Sequence, residues 1–392
     1  MRKVLHVASF NGNIGDNANH NGLRHLIRTY GSDQPVAYTE LEIRKSYMNY
    51  AGDDRWTFDE HFAELANAHD AVIIGGGGFF EIWIEQSQTG TTIDMSLDIL
   101  RKIRTPMLFF GLGFDVHRGI PEGNIDKFRR FIDAVYETGI HTITVRNDGS
   151  IKHIGSLLGK QYLERITSIP DGGFFLQIAT PVETLLNHRR HYIAVNLAKD
   201  MLDVRFAGIQ GHIAYGDFLE LFAGTLMRFM ETHAAFEVVF VPHIYSDLEA
   251  ISDLVARLPD GFRRNRMSVA PLLHGAGAEA FGFGIYRHAE LVMGMRLHAN
   301  ICAIGMQVPT IGICTYQKVA DMYEDVGLES RVLQVNQYGF EKRLGQMMEE
   351  SLRNRDMLRA RYAEVKERMT ERARHFFEAM ELFEIRSKKG ES

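Results

Sequence analysis

One pattern recurs along the chain. Four to six apolar, often β-branched residues end abruptly at a glycine or a polar residue, and a stretch of helical periodicity follows. The runs are VLHVASF, AVIIGGGGFF, MLFFGLGFD, TITVRNDGS and TSIPDGGFF in the first half. YIAVNLAKD, FEVVFVPHIYSD, AELVMGMRLHA and TIGICTYQKV follow in the second. Continuously apolar strands alternating with helices predict parallel sheets covered on both faces. Nine such units exceed what one sheet usually holds. The pattern therefore predicts an α/β protein of two Rossmann-like domains facing a cleft. The polar stretch ATPVETLLNHRRHY supplies the boundary, giving domains over 1–185 and 186–350 with a helix and tail over 351–392. In that last part apolar residues fall at Leu358, Tyr362, Val365, Met369, Phe376, Met380 and Phe383. Spacings of three and four predict an amphipathic helix packed on the body of the protein, with a dimerising helix as the alternative.

Composition narrows the function classes. The 392 residues are 45% hydrophobic and 24% charged, an ordinary globular profile long enough for two domains. A net charge of −6 argues against a general nucleic-acid binder, and Arg263, Arg264 and Arg266 read as a short solvated loop. Cys302 and Cys314 lie in apolar runs and read as core residues of a reduced, cytoplasmic protein. The N-terminal MRKVLHVASF reads as a first strand rather than a signal peptide. No run of 18 uninterrupted apolar residues occurs, so no membrane span is expected, while peripheral contact with the inner membrane stays open.

Ligands of open parallel sheets bind beyond the carboxyl ends of the strands. The strand exits therefore nominate Asn11, Gly15 and Asp16; Gly75, Gly76, Gly77 and Gly78; Gly111, Gly113 and Asp115; Arg146; Asp171; Asn196; His243; Arg296 and His298; Tyr316 and Lys318. NGNIGDNANHNG sets a glycine loop before the first helix, suited to a phosphate or sugar hydroxyls. It lacks the Gly-Lys-Ser/Thr of a Walker loop and the three spaced glycines of a dinucleotide fingerprint. The four glycines of IIGGGGFFE carry an entropic cost that close approach of a ligand would explain, with close strand–helix packing as the alternative. Seventeen histidines include no His-x-x-x-His pair and the cysteines form no Cys-x-x-Cys, so no metal is expected. His243 and Asp247, four apart, read more simply as a capped helix start. No Asp-x-Asp and no Gly-x-Ser-x-Gly occurs, which removes the commonest cation-holding and covalent-serine patterns.

The most informative segment is LVMGMRLHANICAIGMQVPTIGIC, residues 291–314, whose apolar run carries Arg296 and His298. Either a carboxylate pairs with Arg296, or it faces a cleft as a site for an anion. Its position where strand becomes helix favours the anion site, because two donors and a helix N-terminus meet there. An arginine in that role would be removable with little loss of stability.

Several segments together resemble the polysaccharide pyruvyl transferase family. They are NIGDNA after the first strand, GGGGFF, VRNDGSIKHI, IPDGGFFL, VNLA, and above all GMRLHANICAIGMQVPTIGICTYQKVADMYEDVGL. The resemblance runs in order from residue 1 to about 335. Gln317, and Gly172 after Asp171, depart from prolines common in the family. The resemblance implies a GT-B-like fold and transfer of the enolpyruvyl carbons of phosphoenolpyruvate to a sugar as a pyruvate ketal, without a further cofactor. It puts Arg296 and His298 on donor-binding and catalytic positions, Tyr316 and Lys318 on the following loop, and the N-terminal glycine loops and Asp16 on the acceptor side. In that reaction Arg296 would pair with one anionic group of the donor and Lys318 or Arg146 with the other, with His243 on the same side. His298 would be the acid and Asp16 or Asp171 the base. The expected partners are phosphoenolpyruvate and a sugar acceptor, free, nucleotide-linked or lipid-linked; an oligomer stays open. A nucleotide-sugar glycosyltransferase, or a non-catalytic glycan- or anion-binding protein on the same fold, are the alternatives.

Overall fold

The computed structural model describes residues 1–178, 191–206 and 211–380. Two compact units emerge. The first comprises Met1–Phe10, Gly22–Gly172 and the chain from Thr370 on; the second comprises Asn11–Asn21 and Gly173–Met369. The expected boundary at 185 lies outside the described residues. The contacts divide the chain earlier, after Gly172, for a local reason. A Cβ on Gly305 would lie 2.5 Å from the Phe174 carbonyl, so the GGFF turn packs tightly on the helix Leu297–Gly305 of the second unit. The stretch around the first glycine loop, assigned by sequence to the N-terminal domain, also belongs with the second unit. There the Ile14 amide donates to the His243 carbonyl at 3.2 Å.

The first unit holds β1 (Arg2–Ala8), β2 (Val36–Glu42), β3 (Ala71–Gly75), β4 (Phe80–Glu81), β5 (Met107–Leu112), β6 (Phe114–Asp115), β7 (His141–Arg146) and β8 (Thr167–Ile169). Its parallel sheet has the order β2-β1-β3-β5-β7-β8, and β4 pairs with β6 apart from it. The second unit holds β9 (His191–Asn196), β10 (Phe236–Phe240), β11 (Met267–Val269), β12 (Leu291–Gly294), β13 (Thr310–Cys314) and β14 (Val332–Gln334). Its parallel order is β11-β10-β9-β12-β13-β14. All nine apolar runs are strands. The three longer-sheet strands the pattern did not show, β2, β11 and β14, are all edge strands with part-exposed faces. A strand covered on one side only does not need a continuous apolar run, so its signal is weak.

Central strands bury both faces. Ile193 and Val195 enter one core of the second unit, while Tyr192 and Ala194 enter the core on the opposite face. This is the period of two expected of a strand. The C-terminal stripe forms the helix Arg355–Ala379, with Leu358, Tyr362, Val365 and Met369 buried. Beyond them the stripe continues through Ala373 and Phe377, whereas Phe376 is only partly covered and Phe383 lies outside the described residues. Lys366 on this helix donates to the Phe174 carbonyl and stands 4.7 Å from the Phe175 ring centre. Burial pushes its amine down to about 8. The Arg263–Arg266 cluster, expected in a loop, spans the short helix Asp260–Asn265 and its end. Arg266 Nη2 donates to the Met230 and His233 carbonyls and so caps the helix Tyr215–Thr232.

The glycine run has a packing explanation. Gly75 has φ +136°, and a Cβ there would run into the Phe110 carbonyl of the neighbouring β5. A Cβ on Gly77 would lie 2.6 Å from the Phe79 ring. Close backbone and ring packing, the alternative reading of the run, is therefore present at these two glycines.

One prediction follows from burial. His141 is 5% exposed, and burial pushes its imidazole down from 6.5 to about 4. Below pH 6.5 the unfolded imidazole takes up a proton that the folded one resists, so stability falls as pH drops toward 4. The loss is on the order of 3 kcal/mol. Denaturant titrations of His141→Leu and the wild type from pH 7 to 4 should diverge by that amount in the variant's favour; parallel curves would contradict it.

Candidate functional site

Arg296 is the last residue before the helix Leu297–Gly305 and follows directly on the exit of β12. Its backbone amide donates to Asn196 Oδ1 at 3.0 Å, and its carbonyl accepts from Asn300 Nδ2 at 2.9 Å. Asn196 ends β9, the strand beside β12. The guanidinium is not waiting unpaired. Its Nε reaches both Asp247 oxygens at 2.9 and 2.8 Å, and Nη2 reaches Asp247 at 2.5 Å and Asp200 at 2.9 Å. The carboxylate alternative of the sequence reading is therefore realised, for a physical reason: a side chain only 13% exposed needs a counter-charge. Burial pushes the guanidinium toward neutrality, but the two carboxylates hold it more firmly protonated than usual. Nη1 has no partner among the described residues, so one edge of the fork stays available to a ligand.

Asp247 is fully buried in the first turn of the helix Tyr245–Val255. Besides Arg296 it accepts from the His243 amide at 2.8 Å, the Ile244 amide at 3.4 Å and Asn196 Nδ2 at 3.3 Å. The capped-start reading of His243 and Asp247 is what the structure displays. His243, expected on the donor side, is wholly buried, with its Nε2 2.9 Å from the Tyr286 hydroxyl. Burial, then the nearby Arg296 and His298, pushes its pKa well below the ordinary range. Its ring packs in the core, 4.9 Å from the Phe283 ring centre.

His298 is 7% exposed in the first turn of its helix. Its imidazole lies against the backbone of Gly15: a Cβ there would sit 2.5 Å from Nδ1 and 2.9 Å from the His298 Cβ. Gly15 is the second residue of the helix Ile14–Leu26, and Asp16 follows in the same first turn. Asn13 Oδ1 accepts from the Gly15 amide at 2.9 Å. The sequence-nominated Gly15, Asp16, Arg296 and His298 thus belong to one unit, with exposed Asn11 at the loop entrance. No sequence spacing links Gly15 to His298; their meeting is tertiary.

Tyr316, buried, and Lys318 follow β13, with the Lys318 Nζ 4.6 Å from the Tyr316 ring centre. Two further charged residues, not nominated by sequence, complete this group. Arg205 lies 5.6 Å from the same ring, donates through Nη1 to Thr315 Oγ1 at 3.0 Å, and reaches Asp200 through Nη2 at 3.5 Å. Asp200 bridges Arg205 and Arg296. Burial would raise its carboxyl, but Arg296 and then Arg205 hold it below the usual carboxylate range. The signal for Asp200 was its place just past the β9 exit in VNLAKD; Arg205 gave none.

The first unit carries its own buried charge group. Arg146, at the end of β7, donates from Nε to Asp148 at 2.5 Å, and its Nη1 is 3.9 Å from Asp171. Asp148 also accepts from the Ser150 hydroxyl at 2.5 Å, and the Asp171 amide donates to Asn147 Oδ1 at 3.0 Å. A Cβ on Gly113 would lie 2.7 Å from Arg146 Nη2, and one on Gly78 would lie 3.7 Å away. Arg146 and Asp171, nominated for donor and acceptor, are 4% and 0% exposed within this group, where Asp148 is the closer partner of the guanidinium. Among the described residues no three His, Cys, Asp or Glu side chains group as they would around a metal ion. Among the same residues no helix is long and apolar enough to cross a membrane.

The environment of Arg296 reverses the expectation that its loss is mild. Arg296→Ala leaves Asp247 charged and buried, a change worth about 3–5 kcal/mol, or a melting temperature lower by roughly 6 to 20 °C. Arg296→Met with Asp247→Leu should recover most of that loss. Calorimetry showing the single variant as stable as wild type would contradict the pairing.

No curated protein matches the sequence. Several solved structures share its fold at low identity. A glycosyltransferase from Rickettsia africae superposes with a TM-score of 0.56 at 10% identity, covering 99% of each chain. A putative UDP-N-acetylglucosamine 2-epimerase from Listeria monocytogenes gives 0.55 at 13%, covering 100% of this chain and 97% of that one. An Anabaena protein solved with UDP and glucose gives 0.52 at 10%, covering 100% of both. These likenesses show a GT-B-type fold of two Rossmann-like domains. The family model for polysaccharide pyruvyl transferase matches residues 13–315, from the turn that receives His298 to the threonine that receives Arg205, and the chain belongs to that family.

Proposed function

We propose that the chain transfers the enolpyruvyl carbons of phosphoenolpyruvate to a sugar as a pyruvate ketal and releases phosphate. The carrying observation is the turn at Arg296 and His298, where a guanidinium edge, an imidazole and two helix N-termini belong to one unit. Arg296 Nη1, Arg205 and Lys318 supply positive charge for the donor's carboxylate and phosphate. His298 protonates the methylene carbon, which becomes a methyl group and leaves C2 electrophilic. One sugar hydroxyl adds to C2, and a second hydroxyl of the same sugar replaces phosphate there. Asp16, one residue beyond the glycine that His298 packs on, is the group to accept a hydroxyl proton. Phosphoenolpyruvate is a cytoplasmic metabolite, so this reading puts the chain in the cytoplasm, at the inner membrane where its acceptor is lipid-linked.

In heavy water the product methyl should gain one deuterium while inorganic phosphate appears, read by mass spectrometry over a panel of sugar acceptors. A nucleotide released with a new glycosidic bond would instead identify the nucleotide-sugar chemistry of the same fold. Free pyruvate with a phosphorylated sugar would reject the mechanism. His298→Ala should slow turnover about 100- to 10,000-fold with donor binding kept.

Gly15→Ala tests the placement of the imidazole. Its added methyl displaces His298, and a misplacement near 1 Å costs about 100-fold in turnover. Helix propensity favours alanine, but overpacking against His298 should cost about 1–3 kcal/mol, so turnover is compared per folded molecule. Unchanged turnover would show that the imidazole does not act from this position.

A further inference from the structure

We propose that the Asp200 carboxylate is the resident occupant of the donor's anion subsite, and that the need to displace it makes the site selective for multiply charged anions. The proposal rests on reading this site as the one that binds the donor. Its basis is a contrast between two carboxylates on one guanidinium. Asp247 is fully buried and is anchored by two backbone amides and Asn196 as well as by Arg296. Asp200 is 29% exposed, and among the described residues its carboxylate takes hydrogen bonds from Arg296 and Arg205 alone. One is held by the fold; the other is held by the cations a ligand would seek.

Those cations stay in place without the Asp200 side chain. Arg205 Nε donates to the Asp200 backbone carbonyl at 2.9 Å and Nη1 to Thr315, while Arg296 keeps both Asp247 oxygens. Lys318 adds a third positive charge that acts on Asp200. Rotation of one partly exposed side chain toward solvent therefore opens a preformed trio of cations. A monocarboxylate arriving there exchanges one carboxylate for another and gains little. A ligand carrying carboxylate and phosphate brings more charge than it displaces. A donor with both groups is thereby favoured over its dephosphorylated counterpart.

The test measures binding of phosphoenolpyruvate, inorganic phosphate and pyruvate by titration calorimetry to the wild type, Asp200→Asn and Asp203→Asn. Asp203 is exposed and removes the same charge three residues away, outside the subsite. With the occupant gone, Asp200→Asn should bind phosphate and pyruvate about tenfold tighter or more, as expected when a minor open state becomes the major one. Asp203→Asn should stay within about twofold of wild type. In a wild-type crystal soaked with phosphate, a phosphate oxygen should replace Asp200 at Arg296 Nη2. Unchanged or weaker phosphate binding in Asp200→Asn, or phosphate seated with the Asp200–Arg296 pair intact, overturns the proposal. If phosphate behaves as stated but phosphoenolpyruvate binds none of the proteins, the subsite stands and the pyruvyl-donor reading falls.

Discussion

The buried pair between Arg296 and Asp247 organises the second unit. Asp247 belongs to the helix after β10, Arg296 to the turn after β12, and Asn196, which bonds to both, ends β9. Three adjacent strands are thus tied together at their carboxyl ends by one charged network. A buried ion pair gains little over an apolar core in stability, but removing one partner is costly. Its value here is geometric. It fixes where the helix Leu297–Gly305 begins, and with it the direction in which His298 points.

Glycines do complementary work by letting backbone approach side chains. Gly15 admits the His298 imidazole, Gly113 admits the Arg146 guanidinium, and Gly75 admits a neighbouring carbonyl. In each case the missing methyl is a packing requirement before it is a ligand-binding one. In the glycine-rich segments that invite a ligand-loop reading, Gly15, Gly75 and Gly77 are thus sites of close internal contact.

Charge in the second unit falls into two grades of permanence. Asp247 is held by Arg296 and by three neutral donors of the fold besides, so it reads as structure. Asp200, Arg205 and Lys318 cluster around Tyr316 and Arg296, held mainly by one another's charge rather than by the backbone. A single arginine serves both grades at once, with Nε and Nη2 committed and Nη1 open. One buried guanidinium is thus tied into the fold through two of its nitrogens while its third has no partner among the described residues.

The sequence by itself determined nine of the strands, eight central ones and the edge strand β8, the parallel two-unit architecture, the amphipathic C-terminal helix and the Arg296–His298 turn. Each depends on local periodicity or on a strand exit, and both are written in consecutive residues. It missed β2, β11 and β14, because edge strands need no continuous apolar run. The packing of Phe174 on Gly305, which joins residues more than a hundred apart, was not legible in the sequence either. Which carboxylates face Arg296, that the Gly15 backbone lies against His298, and that Arg205 joins Lys318 at Tyr316 were decided only by the tertiary structure. Such pairings depend on which strand lies beside which, and the order β11-β10-β9-β12-β13-β14 brings together side chains that no spacing in the chain connects.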